Sequence, residues 1–248
     1  MDIPQLSPGC VHVWPISSVA EPSELEILAS LLNKDDIERA ARFHFERDRA
    51  AFVTYRAALY ALLASYLGVS PGEVQLRYGP YGKPMLDTAG PTPIRFSVSH
   101  SGAFALLAFA VGREIGIDIE HKRSVDFLGL AERCFSERER ATLAEASPEG
   151  RADVFYEFWT CKEACIKADG RGLSLPLDEF SIVRVATPSP WREIVLSPGS
   201  SLPPEMHVRI LDAYPGYAAA VAGNGAGWAV RALEPLKTHN LKSGVFQA

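Results

Sequence analysis

Apolar residues recur along this chain at two spacings, and each spacing predicts one kind of element. Over residues 48–67 they recur every three or four positions, which predicts a long amphipathic helix that ends at Gly68. The same spacing predicts a second long helix over residues 153–168, ended by Gly170. Shorter helices are expected over residues 33–43 and 136–146, each with a polar capping residue at its start.

Alternating or short apolar runs between turn-forming residues predict strands. A hairpin-like arrangement is expected over residues 94–120, where the Ser101–Gly102 turn leads into the apolar run 103–111. Helices and strands cluster in two successive groups, which indicates an α+β chain with two halves and no clear internal repeat. The predicted strands cover residues 11–14, 74–78, 94–99, 115–120, 180–185, 206–211 and 217–222.

Composition and charge remove several function classes. Apolar residues make up 47% of the 248 residues and charged residues 22%, as in globular proteins. The net charge of −5 argues against nucleic-acid binding, so any anionic ligand needs a local basic cluster. Residues 103–111 cover only half a membrane span, and the N-terminus lacks the pattern of a signal peptide, so we expect no membrane association. Four cysteines without metal-ligand spacing predict free thiols in a reducing cytoplasm.

Two acidic residues interrupt an isoleucine-rich strand at G-I-D-I-E, residues 116–120. Strand geometry puts Ile117 and Ile119 on one face and Asp118 and Glu120 on the other, where the like charges repel. One interpretation is an edge strand whose polar face meets solvent. The other is a divalent-cation site, because paired carboxylates supply the hard oxygen ligands that suit Mg²⁺ or Mn²⁺.

Three further segments carry candidate chemistry, each with an ordinary alternative. In the helix 158–167, Trp159, Glu163 and Lys167 share one face, which is equally typical of an exposed ion pair. Ser99 and His100 in S-V-S-H-S-G are typical of an anion site or of a hydroxyl-rich turn, and a G-x-S-x-G nucleophile motif is absent. The lysine of Y-G-K-P, residues 81–84, is either a fixed phosphate contact or a solvated turn residue.

Taken in order along the chain, these four segments resemble the 4′-phosphopantetheinyl transferases, specifically the larger, single-chain, pseudo-dimeric Sfp-like kind. The resemblance covers about residues 33–217, and the specific signal is W-x-x-K-E-A-x-x-K together with G-x-D-I-E. It implies an α+β fold of two similar α/β halves related by a pseudo-twofold axis. We place the nucleotide-binding half at residues 1–105, the metal-binding and catalytic half at 106–233, and a loose tail at 234–248.

The resemblance also implies an activity. Such enzymes transfer the phosphopantetheine arm of coenzyme A to a serine of an apo acyl or peptidyl carrier protein, with Mg²⁺ (or Mn²⁺), and release adenosine 3′,5′-bisphosphate. A monomer is expected, because one chain holds both halves. The alternatives are a catalytically idle module that binds coenzyme A or a carrier, and a Mg²⁺-dependent phosphohydrolase. The carrier and its pathway stay open.

Carried over by motif position, Asp118, Glu120 and Glu163 are the expected metal ligands. Glu163 is also the expected base for the carrier serine, and Lys167 the expected partner of the pyrophosphate. Asp36 stands where the family has a basic residue, so the 3′-phosphate is held either by fewer charges in this protein or by Arg42 or Arg47 instead. The expected coenzyme A contacts are Arg39, Gly82, Lys83, Pro84, Ser99, His100, Lys162 and Lys167.

Residues 121–147 follow the metal-binding strand and are a candidate docking region for the carrier. Basic residues and Phe135 in this segment support that interpretation, because carrier proteins are often acidic. The alternative is a solvated helix that covers a core.

Overall fold

The elements of the chain are described by a computed structural model that covers residues 3–17, 20–88, 90, 92–185, 189–212, 214–237 and 241. The helices are α1 Pro22–Ala29, α2 Lys34–Ala40, α3 Glu46–Leu67, α4 Phe127–Cys134, α5 Glu137–Glu145 and α6 Arg151–Asp169. The strands are β1 Cys10–Ser17, β2 Leu76–Tyr78, β3 Pro84–Leu86, β4 Ile94–Ser101, β5 Phe104–Val111, β6 Ile115–His121, β7 Phe180–Arg184, β8 Trp191–Leu196, β9 Met206–Leu211, β10 Tyr217–Asn224 and β11 Ala229–Ala232.

The first half packs α3 against a four-stranded sheet of order β11-β1-β5-β4. An apolar stretch of α3 from Ala57 to Ala64 is buried in the resulting core. By length and composition α3 is apolar enough to cross a membrane, but 72% of the relevant window is buried inside the protein. The helix ends at Gly68, whose φ of 67° is the left-handed conformation that glycine adopts without strain.

The second half packs α6 against a five-stranded sheet of order β6-β10-β9-β8-β7. Aromatic side chains of α6, among them Phe155 and Phe158, are buried against Phe135 from the segment between α4 and α5. Ser136 and Glu139 form the predicted capping box at the start of α5. The core of this half therefore fixes the position of α6 over the sheet.

Gly116 of β6 brings α6 unusually close to the sheet. A Cβ at this position would lie 2.0 Å from the carbonyl oxygen of Ala164 and 2.3 Å from the amide nitrogen of Ala168. Only glycine permits such a close approach between a strand and a helix. The contact places Glu163 and Lys167 of the helix beside Asp118 and Glu120 of the strand, as they share one cavity.

The two sheets meet in a third apolar cluster. Ile115, Ile117 and Ile119 of β6 pack there with side chains of β1 and β5 from the first half, such as Val13 and Leu106. The prediction that Ile117 and Ile119 share one face of the strand is confirmed, and that face is buried. Their burial directs the carboxylates of Asp118 and Glu120 to the opposite face of β6.

Most predicted elements are present, and the α+β class with two α/β halves is confirmed. The hairpin-like interpretation of residues 94–120 is wrong at its end, because β4 and β5 pair whereas β6 pairs with β10 in the other sheet. The predicted helix over residues 33–43 ends at Ala40. The sequence patterns did not predict α1, α4, β3, β8 or β11.

The division of the chain at residue 105 stays a prediction. In the structure the chain leaves the first sheet after Val111 and enters the second at Ile115. The loose tail is wrong for residues 234–237 and 241. Leu236 forms a parallel bridge to Ile16, and Leu241 is buried in the first core. Residues 238–240 and 242–248 lie outside the described residues.

Candidate active site

Two adjoining cavities, each of about 310 Å³, lie along the junction between the halves. The carboxylate cavity is lined by Asp118, Glu120, Trp159 and Glu163. His100 and Lys167 line both cavities, so the two form one continuous cleft. The second cavity, here called the basic pocket, is lined by residues that include Arg39, Phe52, Tyr55, Arg56, Tyr78, Tyr81, Gly82, Lys83, Pro84, His100 and Lys167.

Asp118 lines the carboxylate cavity and is 2% exposed. Its Oδ1 accepts hydrogen bonds from the Ser99 hydroxyl at 2.8 Å and from the Lys167 ammonium at 2.6 Å. Its Oδ2 is buried and has no hydrogen-bond partner among the residues that the structure describes. Buried polar atoms are almost always satisfied, so this oxygen indicates a ligand site.

The cavity carries more negative charge than its surroundings neutralise. The pKa of Glu163 is raised to about 7, chiefly by burial and also by the neighbouring Asp118, while Lys167 acts to lower it. Burial and Asp118 also raise the pKa of Glu120. Two carboxyl groups that resist ionisation beside a third are typical of a site that binds a cation.

The residues present fit a divalent cation by their chemistry. Three carboxylates supply hard oxygen donors, and one of those oxygens is an orphan. They are not gathered tightly around one point, since no group of three His, Cys, Asp or Glu among the described residues is arranged to hold an ion. The Lys167 ammonium lies beside Asp118 instead and supplies the compensating charge in this arrangement.

The basic pocket combines cations with aromatic rings. The guanidinium groups of Arg39 and Arg56 each lie 5.4 Å from the centre of the Phe52 ring. His100 stacks on Tyr55 with ring centres 4.7 Å apart. Burial within the cleft lowers the pKa of His100, and nearby Lys167 and Arg39 lower it too, so the ring is neutral at pH 7 without an anion.

Lys83 lines the basic pocket, but its ammonium is already engaged. It donates to the carbonyl oxygens of Ala168 at 3.0 Å and Ile115 at 3.3 Å, and to the Glu114 carboxylate at 3.3 Å. An ammonium has three N–H donors, so none remains for a phosphate. In this arrangement Lys83 ties the first half to the second, and its predicted contact with coenzyme A stays a prediction.

Lys162 is predicted to contact coenzyme A, and the structure contradicts this. Its side chain is completely buried, on the face of α6 that points away from the cleft. The ammonium lies 2.9 Å from the Glu139 carboxylate and donates to the carbonyl oxygens of Leu177 and Phe180. Lys162 is thus a core residue that joins α6 to α5 and to the start of β7.

Ser99 lies at the carboxylate cavity, and its hydroxyl is fully used. It donates to Asp118 and accepts from Lys167 at 2.9 Å and from the Ile119 amide at 3.3 Å. A hydroxyl offers one donor and two acceptor positions. In this arrangement Ser99 holds the Asp118 carboxylate, and its predicted contact with coenzyme A stays a prediction.

Asp36, the acidic residue at a basic position of the family, lies beneath the basic pocket. It is 2% exposed, accepts a 2.8 Å hydrogen bond from the Tyr60 hydroxyl, and lies 3.3 Å from Nε of Arg56. Arg56 also donates to Tyr78 and lines the pocket. Sequence reasoning missed Arg56, although an arginine inside the apolar helix α3 was a signal that it has a buried partner.

The other basic candidates are placed less favourably. Arg39 lines the basic pocket as predicted, whereas neither Arg42 nor Arg47 does. The Arg47 side chain is 89% exposed and pairs with the adjacent Asp48. In the proposed docking region, Phe135 is fully buried and cannot contact a carrier, so the support it lent to that interpretation is withdrawn.

Comparisons with known proteins identify the family of this chain. A family model described as "4'-phosphopantetheinyl transferase, N-terminal" matches residues 19–111, and one described as "4'-phosphopantetheinyl transferase superfamily" matches residues 114–222. The 4′-phosphopantetheinyl transferase HetI of Nostoc sp. is 38% identical over 222 residues, which cover 88% of this chain and 89% of that protein.

Two more distant relatives match a shorter part of the chain. The 4′-phosphopantetheinyl transferase Sfp of Bacillus subtilis is 31% identical over 64% of this chain and 69% of its own. The human L-aminoadipate-semialdehyde dehydrogenase-phosphopantetheinyl transferase is 32% identical over 64% of this chain and 55% of its own. The chain therefore belongs to the 4′-phosphopantetheinyl transferase family. Within this family the chain is of the two-domain type and is similar to HetI and Sfp.

Proposed function

We propose that the junction cleft is the site at which this chain transfers the 4′-phosphopantetheine arm of coenzyme A to a carrier protein. The supporting observation is the direct contact between a carboxylate cavity and a basic, aromatic pocket, with His100 and Lys167 common to both. A pyrophosphate held at this junction lies between the metal ligands and the nucleotide site. The transfer itself follows from membership of the family.

The carboxylate cavity is the proposed reaction centre. Asp118, Glu120 and Glu163 would hold Mg²⁺, which when bound neutralises the pyrophosphate and the charge that develops on the leaving phosphate. Glu163 is the proposed acceptor of the proton from the carrier serine, whose oxygen forms the new bond to phosphorus. Lys167 is the proposed counter-charge for the departing adenosine 3′,5′-bisphosphate.

The basic pocket is the proposed site for the nucleotide end of coenzyme A. Arg39 and Arg56 supply fixed positive charge beside the Phe52 ring, and neutral His100 gains a proton when a phosphate approaches it. Gly82 and Pro84 also line the pocket. This local cluster lets a chain of net charge −5 bind an anion.

We further propose that the chain acts as a monomer in the reducing cytoplasm. Both halves of the cleft come from one chain, so one copy has all the predicted site residues. The four cysteines are free, and Cys161 and Cys165 are buried apolar side chains of α6. A thiol-rich core of this kind is stable where disulfides do not form.

The decisive experiment incubates the protein with coenzyme A, Mg²⁺ and an apo carrier protein, and then weighs the carrier by mass spectrometry. A gain of one phosphopantetheine arm is expected. The matched variant Glu163→Gln keeps the shape of the side chain and should bind coenzyme A while transfer falls by a factor of about 10² or more. Carriers of both acyl and peptidyl types that stay unmodified would overturn the proposal, as would hydrolysis of coenzyme A without transfer.

A further inference from the structure

Three serines at alternate positions of β4 form a regular series of contacts with β6. The hydroxyls of Ser97, Ser99 and Ser101 accept hydrogen bonds from the backbone amides of residues 117, 119 and 121, at 3.1, 3.3 and 3.0 Å. The partner lies twenty residues further along the chain each time. The series, here called the serine ladder, repeats because side chains and outward amides of a strand share a two-residue period.

The serine ladder supplies hydrogen-bond acceptors to the unpaired edge of β6. β6 is the edge strand of its sheet and pairs with β10 on one side only. Its other edge is covered by the first half, so unpaired amides there would be buried at a cost in free energy. Serine hydroxyls supply the missing acceptors where no strand is added.

Two members of the ladder do more than seal the edge. Besides accepting from an amide, Ser99 donates to Oδ1 of Asp118 at 2.8 Å, and Ser101 donates to Oε2 of Glu120 at 2.9 Å. Ser97 has no such target, because the equivalent position of β6 is Gly116. The Ser97 hydroxyl therefore only accepts from a backbone amide, whereas those of Ser99 and Ser101 also hold carboxylates.

We propose that Ser99 and Ser101 are positioning residues, which aim the Asp118 and Glu120 carboxylates into the cleft as the two halves come together. This inference rests on the proposed metal role of those carboxylates and deepens it. Each hydroxyl occupies one oxygen of its carboxylate and, through the amide of β6, cannot rotate away. Holding one oxygen fixes the direction of each carboxylate, and for Asp118 it leaves Oδ2, unpartnered among the described residues, for the cation. Hydrogen-bonded partners commonly orient metal ligands in this way.

The chain offers a matched pair of variants. Ser101→Ala removes a hydroxyl that seals the edge and holds Glu120, whereas Ser97→Ala removes one that only seals it. Ser101 is preferred to Ser99, because Ser99 also contacts Lys167. Both alanine variants lose one amide contact and should lower the melting temperature by similar amounts.

The measurement is Mn²⁺ affinity of the free protein, taken from the electron paramagnetic resonance signal of unbound Mn²⁺ without coenzyme A or carrier. Ser101→Ala should weaken Mn²⁺ binding about 10-fold or more, and Ser97→Ala should change it by less than about 2-fold. Ser101→Thr, which keeps the hydroxyl, should restore the affinity. Combined with Glu120→Gln, Ser101→Ala should have no further effect, because it acts only through that carboxylate.

Equal losses in Ser101→Ala and Ser97→Ala would overturn the positioning role and leave the metal site standing. An additional loss from Ser101→Ala in the Glu120→Gln background would overturn it too. If Asp118→Asn and Glu163→Gln bind Mn²⁺ with the affinity of the wild type, both this inference and the proposed metal ligands are overturned. The carrier assay is separate, so failure of the transfer reaction itself is distinguishable from all three outcomes.

Discussion

Gly116→Ala is the most direct test of how the fold assembles the cleft. The added Cβ would lie 2.0 Å from the Ala164 carbonyl oxygen, whereas ordinary contact begins at 3.4 Å. The shortfall is about 1.4 Å (3.4 less 2.0 Å), and the atoms it meets are backbone atoms of α6. No side-chain rotation relieves the clash, so the helix must move away from β6.

The magnitude follows from this displacement. Overpacking costs about 1–3 kcal/mol, and a clash with helix backbone belongs at the upper end, so we expect a loss of about 3 kcal/mol. For a chain of this size that lowers the melting temperature by about 6–12 °C. A shift of about 1 Å also separates Glu163 and Lys167 from the strand carboxylates, and such misplacement lowers turnover about 10²-fold.

The assay combines thermal unfolding with the carrier-modification rate. Gly72→Ala is the matched control, because its Cβ would meet nothing within 4 Å and its φ is not positive. That variant should stay within about 2 °C of the wild type, as exposed substitutions do. If Gly116→Ala keeps the melting temperature and turnover of the wild type, the close approach of α6 does not position the site.

Three further predictions concern single side chains. Lys162→Met leaves Glu139 buried without its cation and should lower stability by about 3–5 kcal/mol with an unchanged KM for coenzyme A. Lys167→Met should instead raise that KM and leave stability near that of the wild type. A raised KM at normal stability in Lys162→Met would contradict this assignment. The pKa of His100 is lowered in the free protein and should rise when phosphate binds, so coenzyme A affinity should increase as pH falls from the higher of these values toward the lower. In His100→Asn, affinities measured by calorimetry should lack this pH dependence. Identical pH profiles for the variant and the wild type would refute the prediction. Lys83→Gln should lower the melting temperature of the ligand-free protein by about 3–6 °C, because it loses contacts between the two halves. A loss of coenzyme A affinity at an unchanged melting temperature would instead support a phosphate contact by Lys83.

Sequence reasoning worked best where local physics decides. The helical spacing of apolar residues and the glycines that end α3 and α6 predicted those helices to within two residues at each end. The order of the four motifs was enough to predict the family, which the comparisons confirm. The alternation in G-I-D-I-E correctly predicted which face of β6 is apolar.

Sequence reasoning failed where long-range contacts decide. Lys162 and Lys167 are both lysines of one helix, and spacing alone did not reveal that one pairs with Glu139 in the core while the other meets Asp118 in the cleft. Lys83 looks like an exposed turn lysine, but its three acceptors come from residues more than thirty positions away. Arg56 gained its place in the basic pocket from Asp36, twenty residues earlier.

The strand G-I-D-I-E shows the boundary between the two kinds of information. Its sequence alone determined that two carboxylates share one face, because alternation is a property of any strand. Only the tertiary structure decided that β6 leaves the hairpin, that its open edge meets the serines of β4, and that α6 approaches closely at Gly116. Those contacts join residues far apart in sequence, and their free energy depends on the whole core that brings the two halves together.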